Sequence, residues 1–496
     1  MLNWESGYLK EIALSAAATF ILAWGCTATA VAQTSEPAIA ADYHELRRRL
    51  EATESELREL RVREEERTAR EQTAPDAIEA TAPLFSLSGH ETNPHQLASC
   101  TCDTCEPDRP VCAGCGPLCE DCQEKLSWNK GSWRIVPFGN LTGEAISTGT
   151  ATTARPMILY LNSDLGVPQD RFIVHGQTTA LGLNFSGPTV GSFQLGGMIL
   201  FNFLGDRPVL NQATPFFLRG YGELKSDEWR FAFGQQGDLF NPLDPTTVNF
   251  GGHKQAGNAG AFRGSLRAER YLRPSDSVQW TLQAALSQQA VNDFIILPVV
   301  AGTDNGTPNV EARVGLGLGD AVGGKRPVEV GVSGVVGETR AIGLDSVVSD
   351  TWGTSLDASI SGECFGLRGE ILTGEAIGTY NAGIGQSLNP LTLNAIQTTA
   401  GWLELWIKLT ECLTFHVGYG RDDPRNADLG QFLDPTTLQP FAGQRARNEI
   451  CWANIIWDVT KEFDVGWEIS RRETEYIAPG VTNSGMIYHF RARLTF

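Results

Sequence analysis

The chain has 496 residues, a formal net charge of −19 and 53 glycines. That acidity argues against a nucleic-acid partner, whose phosphates call for a basic surface. A mean hydropathy of −0.16, with a single apolar run over 12–25, excludes a bundle of transmembrane helices, because each span takes roughly 20 apolar residues.

The apolar run has the length of a signal-peptide core, and Ala30-Val31-Ala32 before Gln33 fits a small-residue cleavage site, so 1–32 is expected to be a signal peptide. A competing reading acylates Cys26 as a lipoprotein, although Ala23-Trp24-Gly25 makes a poor lipobox and the basic n-region holds only Lys10 against Glu5 and Glu11. Over 42–70, Tyr43, Leu46, Leu50, Leu57 and Leu60 fall on a and d positions of a heptad, with Thr53 at the remaining d site. This predicts a short periplasmic coiled coil, useful for tying subunits together, against the plainer reading of one solvated helix. Residues 71–99 are Thr/Ala/Pro-rich without periodicity and read as a linker.

The stretch 100–127 is cysteine-rich, with three pairs each spaced by two residues: Cys102 with Cys105, Cys112 with Cys115, and Cys119 with Cys122. Such pairs can hold zinc or an iron–sulfur centre. In an exported chain they more commonly oxidise to disulfides, so staples are the favoured reading; no metal and no cofactor is assigned. Cys100 makes the cluster odd-numbered, leaving one thiol free, metal-bound or paired between subunits.

From 128 to 496 the texture is short alternating segments punctuated by Gly, Pro, Asp and Asn. Sixteen are expected, near 133–147, 170–186, 191–204, 215–225, 228–236, 258–272, 276–289, 310–318, 327–339, 351–363, 364–377, 396–410, 411–421, 445–458, 461–475 and 485–496. Leu403, Leu405, Ile407 and Leu409 oppose Trp402, Glu404, Trp406 and Lys408, the period-two pattern of a strand with one apolar and one wet face. In the last segment Tyr488, Phe490, Ala492, Leu494 and Phe496 share one face and His489, Arg491 and Arg493 the other. Even-numbered segments are followed by short turns (Gly187-Pro188, Ser226-Asp227, Arg273-Pro274, Gly362-Glu363, Thr410-Glu411, Val459-Thr460). Odd-numbered ones are followed by longer loops, near 237–257, 290–309, 378–395 and 422–444. The expected fold is therefore all-β, a 16-stranded antiparallel transmembrane β-barrel at 128–496 in the outer membrane, with the N-terminal segment periplasmic.

Phasing these strands by their apolar faces turns Arg219, Tyr221 and Glu223 inward, then Arg230, then Arg263, Arg267 and Glu269. An arginine on the lipid face would cost about 2–4 kcal/mol near midplane. The candidate pore-lining and solute-binding residues are thus Arg219, Arg230, Arg263, Arg267, Arg491 and Arg493, guanidinium being the group that grips carboxylate or phosphate through two parallel bonds. The plainer reading pairs them with Glu223, Glu269 and neighbours as wall salt bridges, since 128–496 holds 22 Arg and 6 Lys against 36 acidic residues, a net of 28 − 36 = −8.

The passage Phe233-Gly234-Gln235-Gln236-Gly237-Asp238-Leu239-Phe240, with the coiled-coil start and the C-terminal strand, resembles the DcaP-like trimeric porins, and secondly the phosphate-selective porins. The resemblance implies that the third long loop folds into the lumen as a constriction carrying Asp238, Phe240 and Asp244, and that the protein is a homotrimer. The cysteine cluster departs from both families. The function expected is an outer-membrane porin for passive diffusion of small hydrophilic solutes, anionic or neutral, with outer-membrane lipids as its surroundings and no enzyme signature. One alternative keeps the barrel as an anchor that tethers the envelope or cell wall. Another is a secreted all-β binding protein.

Overall fold

The computed structural model describes residues 127–152, 157–162, 170–205, 214–288, 306–321, 325–341, 347–433, 440–477 and 482–496. The expected signal peptide, coiled coil and linker lie outside the described residues. So does the cysteine-rich segment, and the disulfide or metal reading of Cys102, Cys105, Cys112, Cys115, Cys119 and Cys122 falls there with it.

Eighteen hydrogen-bonded segments form one antiparallel sheet. Two of them, Arg171–His175 and Ala180–Val190, are pieces of one wall strand, and Trp128–Lys130 is a leading strand folded back onto the next, which leaves sixteen wall strands. In chain order these are β1 Trp133–Thr148, β2 Arg171–His175 with Ala180–Val190, β3 Phe193–Gly205, β4 Thr214–Lys225, β5 Trp229–Gly237, β6 Phe262–Ser275, β7 Val278–Ser287 and β8 Asn309–Leu318. There follow β9 Val328–Ala341, β10 Val347–Ser361, β11 Phe365–Glu375, β12 Gln397–Thr410, β13 Leu413–Pro424, β14 Arg445–Asp458, β15 Phe463–Tyr476 and β16 Thr482–Thr495. Each pairs with its successor, and β16 closes on β1 from Asn140↔Thr495 to Thr148↔Ile487. Closure removes the sheet edges, which a bilayer cannot hydrate. All sixteen predicted segments fall on these strands.

Two predicted turns are displaced. β2 runs through Gly187-Pro188 and turns at Gly191-Ser192, where Gly191 has φ 63°; the ladder is irregular between Ser186 and Thr189. Pro188 has no N–H to give a ladder and sits in that irregularity. Pro274 does the same in β6, which turns at Asp276-Ser277.

The alternation decides which face is which. Val330, Val332 and Val336 on β9 are exposed outward while Ser333 and Val335 between them are buried. On β16, Tyr488, Phe490 and Leu494 face out and His489 and Arg491 are buried inside. A closed wall whose outward rows are mainly apolar is a membrane surface, and the secreted all-β alternative is set aside on that ground. Val332→Arg, at the middle of the β9 apolar row, is expected to cost about 2–4 kcal/mol, read as a lowered denaturant midpoint for refolding into lipid vesicles.

The apolar core lies inside the barrel, where three loops fold in. L1 (149–170) places Ile158 and Leu161 against Ile146 and Ile487. L3 (238–261) and L6 (376–396) meet in a cluster of Phe240, Ala259, Ile377, Tyr380 and Ala382 on wall residues Val335, Leu372 and Ala400.

Candidate functional site

L3 leaves β5 at Asp238 and is pinned at its base, the Ala261 N–H donating to Asp238 Oδ2 (2.7 Å). Burial, reinforced by Glu311 and opposed by Arg263, pushes this carboxyl up to about 6. The loop then follows the inner wall strand by strand. The Leu239 N–H donates to Glu311 of β8 (2.7 Å), and the Phe240 carbonyl accepts from Ser333 of β9. Asn241 Nδ2 reaches Ser355 of β10 (3.2 Å), and the Leu243 N–H donates to Glu370 of β11 (2.8 Å). The Thr246 N–H donates to Glu404 of β12 (2.6 Å) and the Val248 N–H to Glu468 of β15 (2.7 Å), while the Thr247 carbonyl accepts from Arg491 of β16 (3.2 Å). Four wall glutamates thus accept successive backbone N–H groups of one loop. L6 is held likewise: Gly383 and Ile384 N–H donate to Asp422 of β13 (3.0 and 2.8 Å).

Each arginine singled out by phasing has a defined place. Arg230 lies between Glu223 (2.6 Å) and Glu269 (2.7 Å), and Arg267 stands 3.7 Å from the same Glu269 while donating to the Gly237 carbonyl. Arg219 is half-buried, its guanidinium 4.8 Å from the Phe262 ring centroid. Arg263 is only 3 % exposed; it stacks on Tyr380 (3.6 Å), donates to the Thr379 carbonyl (3.1 Å) and lies within 4 Å of Asp238 and Glu311. Arg491 and Arg493 share Asp464 (3.1 and 2.7 Å); Arg491 is buried and Arg493 partly exposed. Of the loop residues, Phe240 and Asp238 are buried, whereas the Asp244 carboxylate is well exposed and holds Lys254 (2.7 Å). Two groups therefore form: Arg230 with Arg267 on the β5–β6 wall, and Arg491 with Arg493 at the seam. Arg263 belongs to the L3–L6 junction.

The glutamate anchors escaped the sequence reading because their partners lie 72 to 220 residues away. So did Arg313 of β8, although it sits on the inward phase of a predicted strand. Arg313 spans β9 to reach Asp357 of β10 (2.6 Å), and it can do so because Gly331 stands between them, where a Cβ would strike both partners. Arg313 lines a cavity of 470 Å³ at the short-turn end of the barrel, with Lys225, Tyr271, Arg273, Arg326 and Glu329. Four cationic side chains there face two acidic ones, Asp227 and Glu329. Among the described residues no three His, Cys, Asp or Glu side chains converge as a metal site.

A closed sixteen-stranded barrel with an inward third loop is the fold of an outer-membrane porin. Among solved structures, the outer-membrane channel DcaP of Acinetobacter baumannii matches with a TM-score of 0.60 at 16% identity, over 74% of this chain and 99% of that one. The anion-selective porin of Comamonas acidovorans matches with a TM-score of 0.48 at 12% identity, over 73% and 100%. OprB of Pseudomonas putida matches with a TM-score of 0.44 at 10% identity, over 73% and 94%. No family model matches the sequence, and no curated protein does.

Proposed function

We propose that the chain is a passive diffusion porin for small hydrophilic solutes, with a preference for anions carrying carboxylate or phosphate, working as a homotrimer. The observation that carries the preference is the fate of the lumen's charges. Glu311, Glu370, Glu404 and Glu468 are buried against the L3 backbone and are not presented to a solute, whereas the cavity at the short-turn mouth is lined by four cations and two carboxylates. A mouth of net positive charge raises the local anion concentration before the constriction is reached.

Planar-bilayer recordings under a salt gradient test this. The reversal potential should report anions as the more permeant species. Converting Arg273 and Arg326 together to Gln should lower the anion-to-cation permeability ratio about two- to five-fold, a shift on the order of 1 kcal/mol or less in mouth potential. Cation selectivity in the unaltered protein, or an unchanged ratio in the variant, would refute the preference. The anchor reading is kept for one reason: L1, L3 and L6 all occupy the lumen. Purified protein that inserts into bilayers without conductance steps would favour it.

A further inference from the structure

Within the porin reading above, on which this rests, we propose that Lys254 is a selectivity-determining residue: a counter-charge that L3 carries for its own exposed carboxylate, Asp244. Over 238–261 the loop holds two acidic residues, Asp238 and Asp244, and Lys254 is its one Lys or Arg. Asp238 is buried at the root of the loop beside Arg263. The Asp244 side chain is 64 % exposed, so it is the carboxylate of L3 that a solute meets.

The backbone is built to deliver that charge. His253 (φ 55°) and Gln255 (φ 63°), on either side of Lys254, both adopt the left-handed conformation that residues other than glycine seldom take. Such conformations persist only where the surroundings over-determine them. The turn brings the Lys254 ammonium onto the outgoing arm of the loop, where it donates to Asp244 Oδ1 (2.7 Å), Asn258 Oδ1 (3.1 Å) and the Ala259 carbonyl. Three oxygen acceptors use all the donors of one ammonium. Asn258 Nδ2 donates to the same Asp244 oxygen (3.0 Å). Gly260 (φ 100°) leaves room for the head group, since a Cβ there would stand 3.3 Å from Nζ and 2.9 Å from the Asn241 carbonyl.

The neighbouring charges decide what the pair does. Asp238 and Glu370 of β11 also feel Lys254, but both are buried and bonded, Asp238 to the Ala261 N–H (2.7 Å) and Glu370 to the Leu243 N–H (2.8 Å). Arg219 of β4 acts on Asp244 from the wall, and it has no carboxylate within 4 Å among the described residues. Burial pushes the Asp244 carboxyl up, but Lys254, then Asn258 and Arg219, outweigh it and hold the group below the usual carboxylate range. Asp244 is therefore charged at neutral pH, and two cations answer it. Without Lys254 the local sum falls by one unit to zero; without Asp244 it rises by one. In a narrow passage lined by fixed charges, that sum sets which ion enters.

Reversal potentials of the purified protein and its variants in planar bilayers test this. Lys254→Gln should lower the anion-to-cation permeability ratio about two- to three-fold, the influence of one unit charge in a water-filled passage. Asp244→Asn should raise it by a similar factor, and the double variant should return close to the unaltered ratio. Lys254→Arg, which keeps the charge but not the fit of an ammonium among its three oxygens, should hold the ratio. Should Lys254→Gln not fold, Asp244→Asn, at an exposed position, carries the test. A ratio indifferent to both single substitutions would overturn the assignment and leave the porin reading intact. So would a ratio that Lys254→Arg disturbs as much as Lys254→Gln, because the role would then be to shape the loop. Unaltered protein without conductance steps would overturn both readings together.

Discussion

Glu404→Ala is expected to free the middle of L3 while leaving the barrel closed. The Glu404 carboxylate is fully buried and serves three elements at once: it accepts the Thr246 N–H of L3 (2.6 Å), meets Arg368 of β11 (3.1 Å) and lies 2.7 Å from His416 Nδ1 of β13. Removing it leaves the Thr246 N–H without an acceptor and the lumen-facing Arg368 guanidinium with the Thr246 hydroxyl in place of a carboxylate. Leaving that buried N–H unsatisfied costs about 1–3 kcal/mol. The wall does not depend on that carboxylate, because β11, β12 and β13 remain joined by their own ladders. The loss should therefore fall on the loop. Heat-resistant migration on gels should persist, the 243–249 amides should exchange at least ten-fold faster, and single-channel records should gain rapid fluctuations. Glu404→Gln, which keeps an acceptor for Thr246, should lie between. Unchanged exchange in the alanine variant would show that L3 is held by packing alone.

The same residue marks how far the sequence could be read. Alternation at Trp402–Leu409 places Glu404 inward, and the structure has it there. What the strand pattern does not carry is the partner. A carboxylate facing a lumen reads as a pore charge, and the excess of acidic residues over 128–496 then counts against anion preference. With L3 lying against β8 to β16, four of those carboxylates become acceptors for a loop, and the tally of charges no longer measures the field a solute meets. Wall strands are legible because each obeys a local period of two. The interior is not, because it rests on contacts between loops and wall 72 to 220 residues apart, such as Leu243 with Glu370. A faint signal did exist in L6: Ile377, Tyr380, Ile384 and Leu388 are too apolar for a loop in water, and all four are buried.

Arg263 separates two roles that phasing alone cannot. Its inward position on β6 fits a solute-gripping guanidinium, but its surroundings are those of a loop clamp: Tyr380 of L6 beneath the guanidinium plane, the Thr379 carbonyl at 3.1 Å, Asp238 at the root of L3 and Glu311 of β8. Arg263→Met, close in volume and uncharged, should leave Asp238 and Glu311 buried without their shared cation. The cost should be about 3–5 kcal/mol of local stability, enough to disengage L3 from L6, since the same guanidinium touches both. Protease nicking within 238–261 or 376–396 should appear in the variant and not in the unaltered protein. Selectivity measured on channels that keep L3 seated should hold, because a side chain 3 % exposed does not meet the permeating ion. If selectivity instead falls while both loops stay protease-resistant, Arg263 faces the solute and the clamp assignment fails. A clamp of this kind makes the shape of the constriction depend on L6 as much as on L3. Variation in L6 should then tune solute size without any change in the residues that line the passage.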